Sequence, residues 1–309
     1  MKKVLFIVLL SATLLFGQGI RVSSPPVPLK TGDGVYSLGK FSPDGKFALL
    51  TTKGYTGIEL VEMATMNHIS IISDAPGAGW GMRWCNSSDK FVFKVNGQNP
   101  DGSKSVSLFE YKDGAGLSKV ADLSPSANNL VFYSVMGDGL LTEGETGNPV
   151  EIRKNSRENS VDYYISGGKL KVIDKNGTLK QGMTEAISQK NNVLFAEWSP
   201  SGEKLAIHAA GAGVSVIDLS TGKEYNFPKM EYPSWVNDEY LSFMSTEDDG
   251  HTIINSEVIV AKFDGTESEI ITRDFTMPAL WQSAAPDGTI LFTGADGKIY
   301  FTKVSFLKN

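Results

Sequence analysis

Residues 39–50 read GKFSPDGKFALL. An aromatic residue, Phe41, is followed by Ser-Pro-Asp-Gly-Lys and then by an apolar run. Between two extended segments this is a turn with a mechanism: Pro presets φ, Asp hydrogen-bonds nearby backbone, and Gly takes positive φ. The frame recurs along the chain. WCNSSDKFVF starts at Trp84, WSPSGEKLAI at Trp198, WVNDEYLSF at Trp235, and APDGTILF at Ala285, shortly after Trp281. Ser201 stands where the first copy has Asp44, with Glu203 read as an insertion, and Asp287 stands there in the last copy. A position that changes between Asp and Ser within one chain serves a turn rather than a reaction.

Each copy continues in the same order. A third extended run follows: GIELVEM (57–63), SVSLFEY (105–111), GVSVIDL (213–219), SEVIVAKF (256–263) and KIYFTKV (298–304). Second turns rich in Asp and Gly come next, and a fourth run closes several units, as in HISIIS (68–73) and SEIITRD (268–274). These are hairpin signals between short alternating runs. Almost nothing after residue 20 has helical periodicity. Residues 124–190 are less regular and read as one degenerate unit with a long loop, NSRENS (155–160) being its polar insert.

Four strands per unit, repeated at roughly 40 to 50 residues, is the pattern of a β-propeller. The expectation is an all-β, six-bladed propeller of four-stranded antiparallel blades, with units beginning near residues 33, 79, 127, 191, 231 and 277. Seven units result if residues 128–190 hold two. The last unit has only three runs, so the segment GIRVSSPPVPL (19–29) is expected to supply its fourth strand and close the ring, removing an open sheet edge.

An aromatic, Ser-Pro-Asp-Gly-Lys and an apolar strand resemble the repeats of TolB-like β-propellers. Residues 41–46 match fully, residues 198–204 match with Ser201 for Asp, and residues 285–288 keep Pro-Asp-Gly; Trp84 and Trp235 keep the aromatic and lose the triplet. The resemblance covers about residues 33–309. It implies a scaffold with a binding face and no fixed chemistry. It also implies a stand-alone propeller, without the α/β domain that precedes the TolB propeller or the hydrolase domain of propeller peptidases. No G-x-S-x-G nucleophile elbow occurs.

The N-terminus MKKVLFIVLLSATLLFGQGI has the build of a secretory signal peptide over residues 1–18. Lys2 and Lys3 precede an apolar stretch, residues 4–16, too short for a ~30 Å hydrocarbon core. Small residues then follow at Gly17 and Gly19. The mature chain, 19–309, is expected as a single propeller domain in the bacterial periplasm or secreted. Without Lys2 and Lys3 the basic residues fall from 29 to 27 against 35 acidic ones. That balance, with no basic cluster, argues against nucleic acid. Cys85, the single cysteine, sits beside Trp84 in an apolar setting and reads as a buried small residue.

The side chains with chemical potential are few. His68, His208 and His251 fall at different strand and loop positions, so a shared metal is not expected. STEDDGHTIINSE (245–257) places Ser245 and Ser256 where a calcium loop needs carboxylates, and DKNGT (174–178) reads as a hairpin turn. Trp84, Trp198, Trp235 and Trp281 read as packing between blades. Trp80, in PGAGWGM, lies off the repeat position and is the better candidate for an exposed contact. The residues before the marker aromatics, Lys40, Arg83, Glu197, Ser234 and Leu280, fall on innermost strands. There they can meet a ligand near the axis or pair with one another. The expected function is a non-enzymatic binding or scaffold module for a protein or peptide, monomeric and without cofactor or metal. Its candidate site is Lys40, Trp80, Arg83 and Glu197. The alternative is a hydrolase or lyase acting on a carbohydrate or peptide at the channel mouth.

Overall fold

The computed structural model describes residues 19–31, 34–125, 131–133, 138–143, 148–154, 161–174 and 182–307. The signal-peptide segment, the NSRENS insert and most of the DKNGT turn lie outside them. Strand β1 (Ile20–Pro28) comes first. Strands β2–β5 (Tyr36–Phe41, Phe47–Thr52, Ile58–Glu62, Asn67–Ile72) form one sheet, and β6–β9 (Arg83–Trp84, Lys90–Gln98, Lys104–Lys112, Gly116–Leu123) the next. A three-stranded sheet, β10–β12 (Val131–Tyr133, Leu140–Glu143, Pro149–Arg153), and a two-stranded one, β13–β14 (Val161–Ser166, Lys169–Asp174), follow. After the short helix α1 (Met183–Ser188) come β15–β18 (Val193–Trp198, Lys204–Ala209, Gly213–Asp218, Glu224–Phe227) and β19–β22 (Glu231–Trp235, Tyr240–Asp248, Ile253–Lys262, Ser268–Ile270). The last sheet holds β23–β25 (Ala279–Ala284, Thr289–Gly294, Ile299–Phe306), with β1 antiparallel to β25.

The architecture is an all-β propeller arrangement with five four-stranded antiparallel sheets. The stretch expected as one degenerate unit instead holds two separate sheets among its described residues, and α1, where Met183 and Ile187 are buried against the two-stranded one. Elsewhere the strands fall where the alternating runs put them.

The repeated turn has a common construction. The amide of Ser42 donates to Phe47 O and that of Gly45 to Ser42 O. The same pair of bonds forms at Cys85 (to Lys90 O) and Ser88, and at Ser199 (to Lys204 O) and Gly202. Glu203 is therefore not an insertion: it stands where Lys46 does, since both turns close over the same span. Gly45 has φ 72°, and Ser88 adopts φ 61° in the corresponding place. In the last sheet Ala285 donates to Thr289 O, which makes Ala284 the counterpart of Phe41. Trp281 is thus not the marker aromatic of that sheet, and Ser283, not Leu280, precedes the marker position. The displacement comes from a register shift in β23 between Leu280 and Ser283.

Apolar clusters sit between successive sheets. Trp235, Leu241 and Phe243 pack on Val214, Val216 and Phe227, and Trp84, Phe91 and Phe93 on Leu49, Ile58 and Leu60. Leu291 and Ile299 of the last sheet pack on Tyr36, Phe41 and Leu50 of the first. Cys85 is buried with Val92, Leu108 and Leu140. Each of these sheets is covered on its faces by neighbours, so burial of ~25 cal/mol per Å² of apolar surface holds the assembly rather than any one sheet. Polar bonds stitch the same seams. Trp84 Nε1 donates to Lys40 O (3.3 Å) and Trp235 Nε1 to Glu197 O (3.1 Å). The Asp44 amide donates to Ser88 Oγ and the Ser201 amide to Asp238 Oδ1, one turn binding the next. Trp198, whose preceding sheet has only two described strands, leaves its Nε1 buried without a partner.

Candidate functional site

The innermost strands converge on two cavities that share one layer of side chains: Lys40, Arg83, Phe195, Glu197, Ser234 and Ser283. The larger, about 400 Å³, is lined on its outer side by the repeated turns, including Pro43, Asp44, Asn86 and Pro200. The smaller, about 280 Å³, opens among Trp80, Met82, Leu194, Tyr232 and Trp281. Three of the sequence-predicted residues, Lys40, Arg83 and Glu197, meet in the shared layer. Trp80 lies apart from them, in the wall of the smaller cavity, with 52% of its surface exposed. Leu280 lines neither cavity.

The repeat explains the layer. Lys40, Arg83, Glu197, Ser234 and Ser283 each precede the marker residue of their sheet. The two serines work between sheets: Ser283 Oγ accepts the Phe41 amide (3.0 Å) and Ser234 Oγ the Ala284 amide (3.1 Å). The charged three instead cluster around an aromatic face. Lys40 Nζ lies 5.5 Å and Arg83 Cζ 5.3 Å from the Phe195 ring centroid, within cation–π range. Neither Lys40 Nζ nor the Glu197 carboxylate has a hydrogen bond or ion pair with a described residue. Burial, and then the Arg83 charge, push Lys40 down to about 8, against the pull of Glu197. Lys94, on β7, is pushed to about 8 by burial and by Arg83. Burial pushes Glu197 upward, with Lys40 and Arg83 opposing. Among the described residues the shared layer therefore carries two cationic side chains, Lys40 and Arg83, and one carboxylic one, Glu197.

The smaller cavity has an aromatic rim built with some strain. Tyr232 (φ 46°) and Trp281 (φ 54°) hold left-handed backbone, as does Tyr55 (φ 58°) behind Trp80, a conformation that costs a non-glycine residue about 1 kcal/mol or more. The surroundings enforce it. Gln282 Nε2 donates to the Tyr232 carbonyl, and the Tyr232 amide donates to His208 Nδ1 at 3.5 Å. The Trp281 amide donates to Met244 Sδ. Tyr232 and Trp281 meet edge to face at 4.7 Å, as Tyr55 and Trp80 do at 5.3 Å. Gly79 lets the Trp80 loop lie on the first sheet, since a Cβ there would overlap Thr51.

The other candidates are accounted for locally. Asp44 Oδ1 accepts from Ser42 Oγ and the Lys46 amide, and Asp44 pairs with Lys46 at 3.2 Å. These contacts hold its carboxyl below the usual range although burial opposes them. His68 Nδ1 lies 3.2 Å from Glu59 Oε2, His208 supports Tyr232, and His251 is exposed at a hairpin tip where Asp249 accepts its amide. No group of three potential metal ligands occurs among the described residues. Among them, too, no helix is long and apolar enough to cross a membrane.

Sequence reasoning missed Tyr232, Trp281, Phe195 and Lys94. Only Lys94 carried a signal, a lone cation inside the apolar run KFVFKV. Trp281 was hidden by the register shift in β23. A scan against models of protein families finds no match to this chain, and neither does a search of curated proteins.

Proposed function

We propose that this chain is an exported, non-enzymatic binding propeller of the TolB-like type, which holds a protein or peptide partner in the bacterial envelope. The observation that carries the reading is the aromatic rim of the smaller cavity. Trp80, Tyr232 and Trp281 present ring surface at one mouth, on backbone held in place by Gln282, His208 and Met244. Rigid aromatic surface of this kind is what binding sites use, because little side-chain entropy is lost on contact. The hydrolase or lyase alternative draws less support. The carboxylic residues lining the two cavities among the described residues are Asp44 and Glu197, and Asp44 is engaged in its own turn.

The same proposal includes a closed ring, with a central channel running through the shared layer. Support comes from β1 on β25, and from the packing of the last sheet on the first. For the number of blades we favour seven over six. Strand β11 packs on β13 as β16 packs on β19, which treats the three- and two-stranded sheets as successive blades. Export rests on the leader sequence.

A photo-crosslinking side chain at position 80, compared with one at the exposed outer residue Ile69, tests the binding face in envelope preparations. We expect a discrete crosslinked product at 80 and none at 69. Equal labelling at both positions, or none at 80, refutes the mouth as the binding face.

A further inference from the structure

We propose that the layer shared by the two cavities is a carboxylate site, filled by the C-terminal carboxylate of a peptide whose last apolar side chain lies against the aromatic rim. The inference rests on the reading of that rim as the binding face.

Three observations carry it. First, Lys40 is a buried cation that makes no ion pair among the described residues, and Glu197 is the single carboxylic side chain of the shared layer. A buried ammonium without an ion pair is costly, and an arriving anion relieves that cost. Secondly, unspent donors converge there. Lys40 Nζ rests on the Phe195 face without a hydrogen bond, so its three N–H groups remain available. Ser234 and Ser283 each accept one backbone amide and keep their own O–H to donate. Thirdly, the layer is the floor of a cavity of about 280 Å³ with apolar walls, Leu194, Trp80 and Trp281 among them. A carboxylate on an apolar body fits both halves.

Glu197 narrows the choice of anion. A dianion beside a carboxylate is disfavoured by like charge. A peptide C-terminus instead brings one negative charge and an adjacent amide N–H, which Glu197 can accept. Inorganic phosphate, with up to two negative charges near neutral pH, meets that repulsion more strongly.

The test uses the mature chain and a set of N-acetyl dipeptides ending in Leu or Phe, each as free acid and as C-terminal amide, with tryptophan fluorescence and calorimetry as readouts. We expect the free acids to bind at least about ten-fold more tightly than the amides, as loss of a charge-assisted contact predicts. Lys40→Met should abolish that preference, and Trp80→Ala should weaken both forms alike. Equal affinity of acid and amide overturns the carboxylate site and leaves the rim as a binding face. Binding of neither form, with crosslinking at position 80 intact, overturns the inference alone. Displacement of the acids by inorganic phosphate at equal concentration also overturns it, in favour of a phosphate site.

Discussion

Asp44 shows how a carboxylate can line a cavity and still belong to the scaffold. Its Oδ1 takes the Ser42 hydroxyl and the Lys46 amide, and its own amide reaches Ser88 of the next turn. In the other complete turn Ser201 Oγ lies near Ser199 Oγ and accepts the Glu203 amide, while its amide reaches Asp238. The two residues do one job. Asp44→Ser should therefore leave stability nearly unchanged, whereas Asp44→Ala should cost about 1 kcal/mol through the lost side-chain bonds. Urea denaturation followed by tryptophan fluorescence separates the two outcomes. A loss of ligand binding with unchanged stability would instead make Asp44 a functional group. Lys40 is the contrasting case, since its neighbours leave its donors unused.

The sheets are the elements in which the sequence was most readable. Alternation and turn chemistry placed the second and third strands of five units, because a one-residue slip would send buried side chains to the wrong face. Trp235 illustrates what this fixes: only 6% exposed, it packs against Val214, Val216 and Phe227 and donates to Glu197 O. Trp235→Ala should cost about 3–5 kcal/mol, read as a shift in the urea midpoint. What the sequence hid were departures from alternation. The register shift in β23 moved Trp281 off the seam and onto the rim, and nothing local in ALWQSA announces it. The rim aromatics Tyr232 and Trp281, and Tyr55 packed on Trp80, occupy left-handed backbone that their residue types disfavour, so only the surrounding packing decides their place. Strand β1 was legible by subtraction, from the missing fourth run of the last unit. It covers β25 with Ile20 against Phe306 and Val27 against Phe301. Deleting residues 19–28 should expose that edge, lower the melting temperature and drive association, visible by light scattering. A stable monomer after the deletion would refute closure through β1.

The charge at the shared layer arises only when the molecule is assembled, because Lys40 and Arg83 come from consecutive sheets and Glu197 from β15, beyond two intervening sheets along the chain. That gives folding a pH dependence of definite sign. Lys40 and Lys94 titrate near 8 in the folded protein against an ordinary value of 10.5. Between those values the unfolded chain holds more protons, so stability rises with pH. Below about 8 both states are protonated and the burial cost of the two cations is fully felt. The groups facing Lys40 are Arg83 on β6 and Glu197 on β15, while β19 and β23 present Ser234 and Ser283. Tyrosines set the upper limit. Burial pushes Tyr36 and Tyr163 up, and burial with the Glu267 bond pushes Tyr240 to about 12. Above their ordinary value of 10.0 the unfolded chain loses those protons first, and stability falls again. Urea midpoints measured across this range should climb from pH 8 to a maximum near 10 and then drop. Lys40→Met should be more stable than the parent at pH 7 and show a smaller climb, since one of the two depressed lysines is gone. A parent protein whose midpoint is flat or falling between pH 8 and 10 would mean that these lysines keep their charge in the folded state, compensated by groups outside the shared layer.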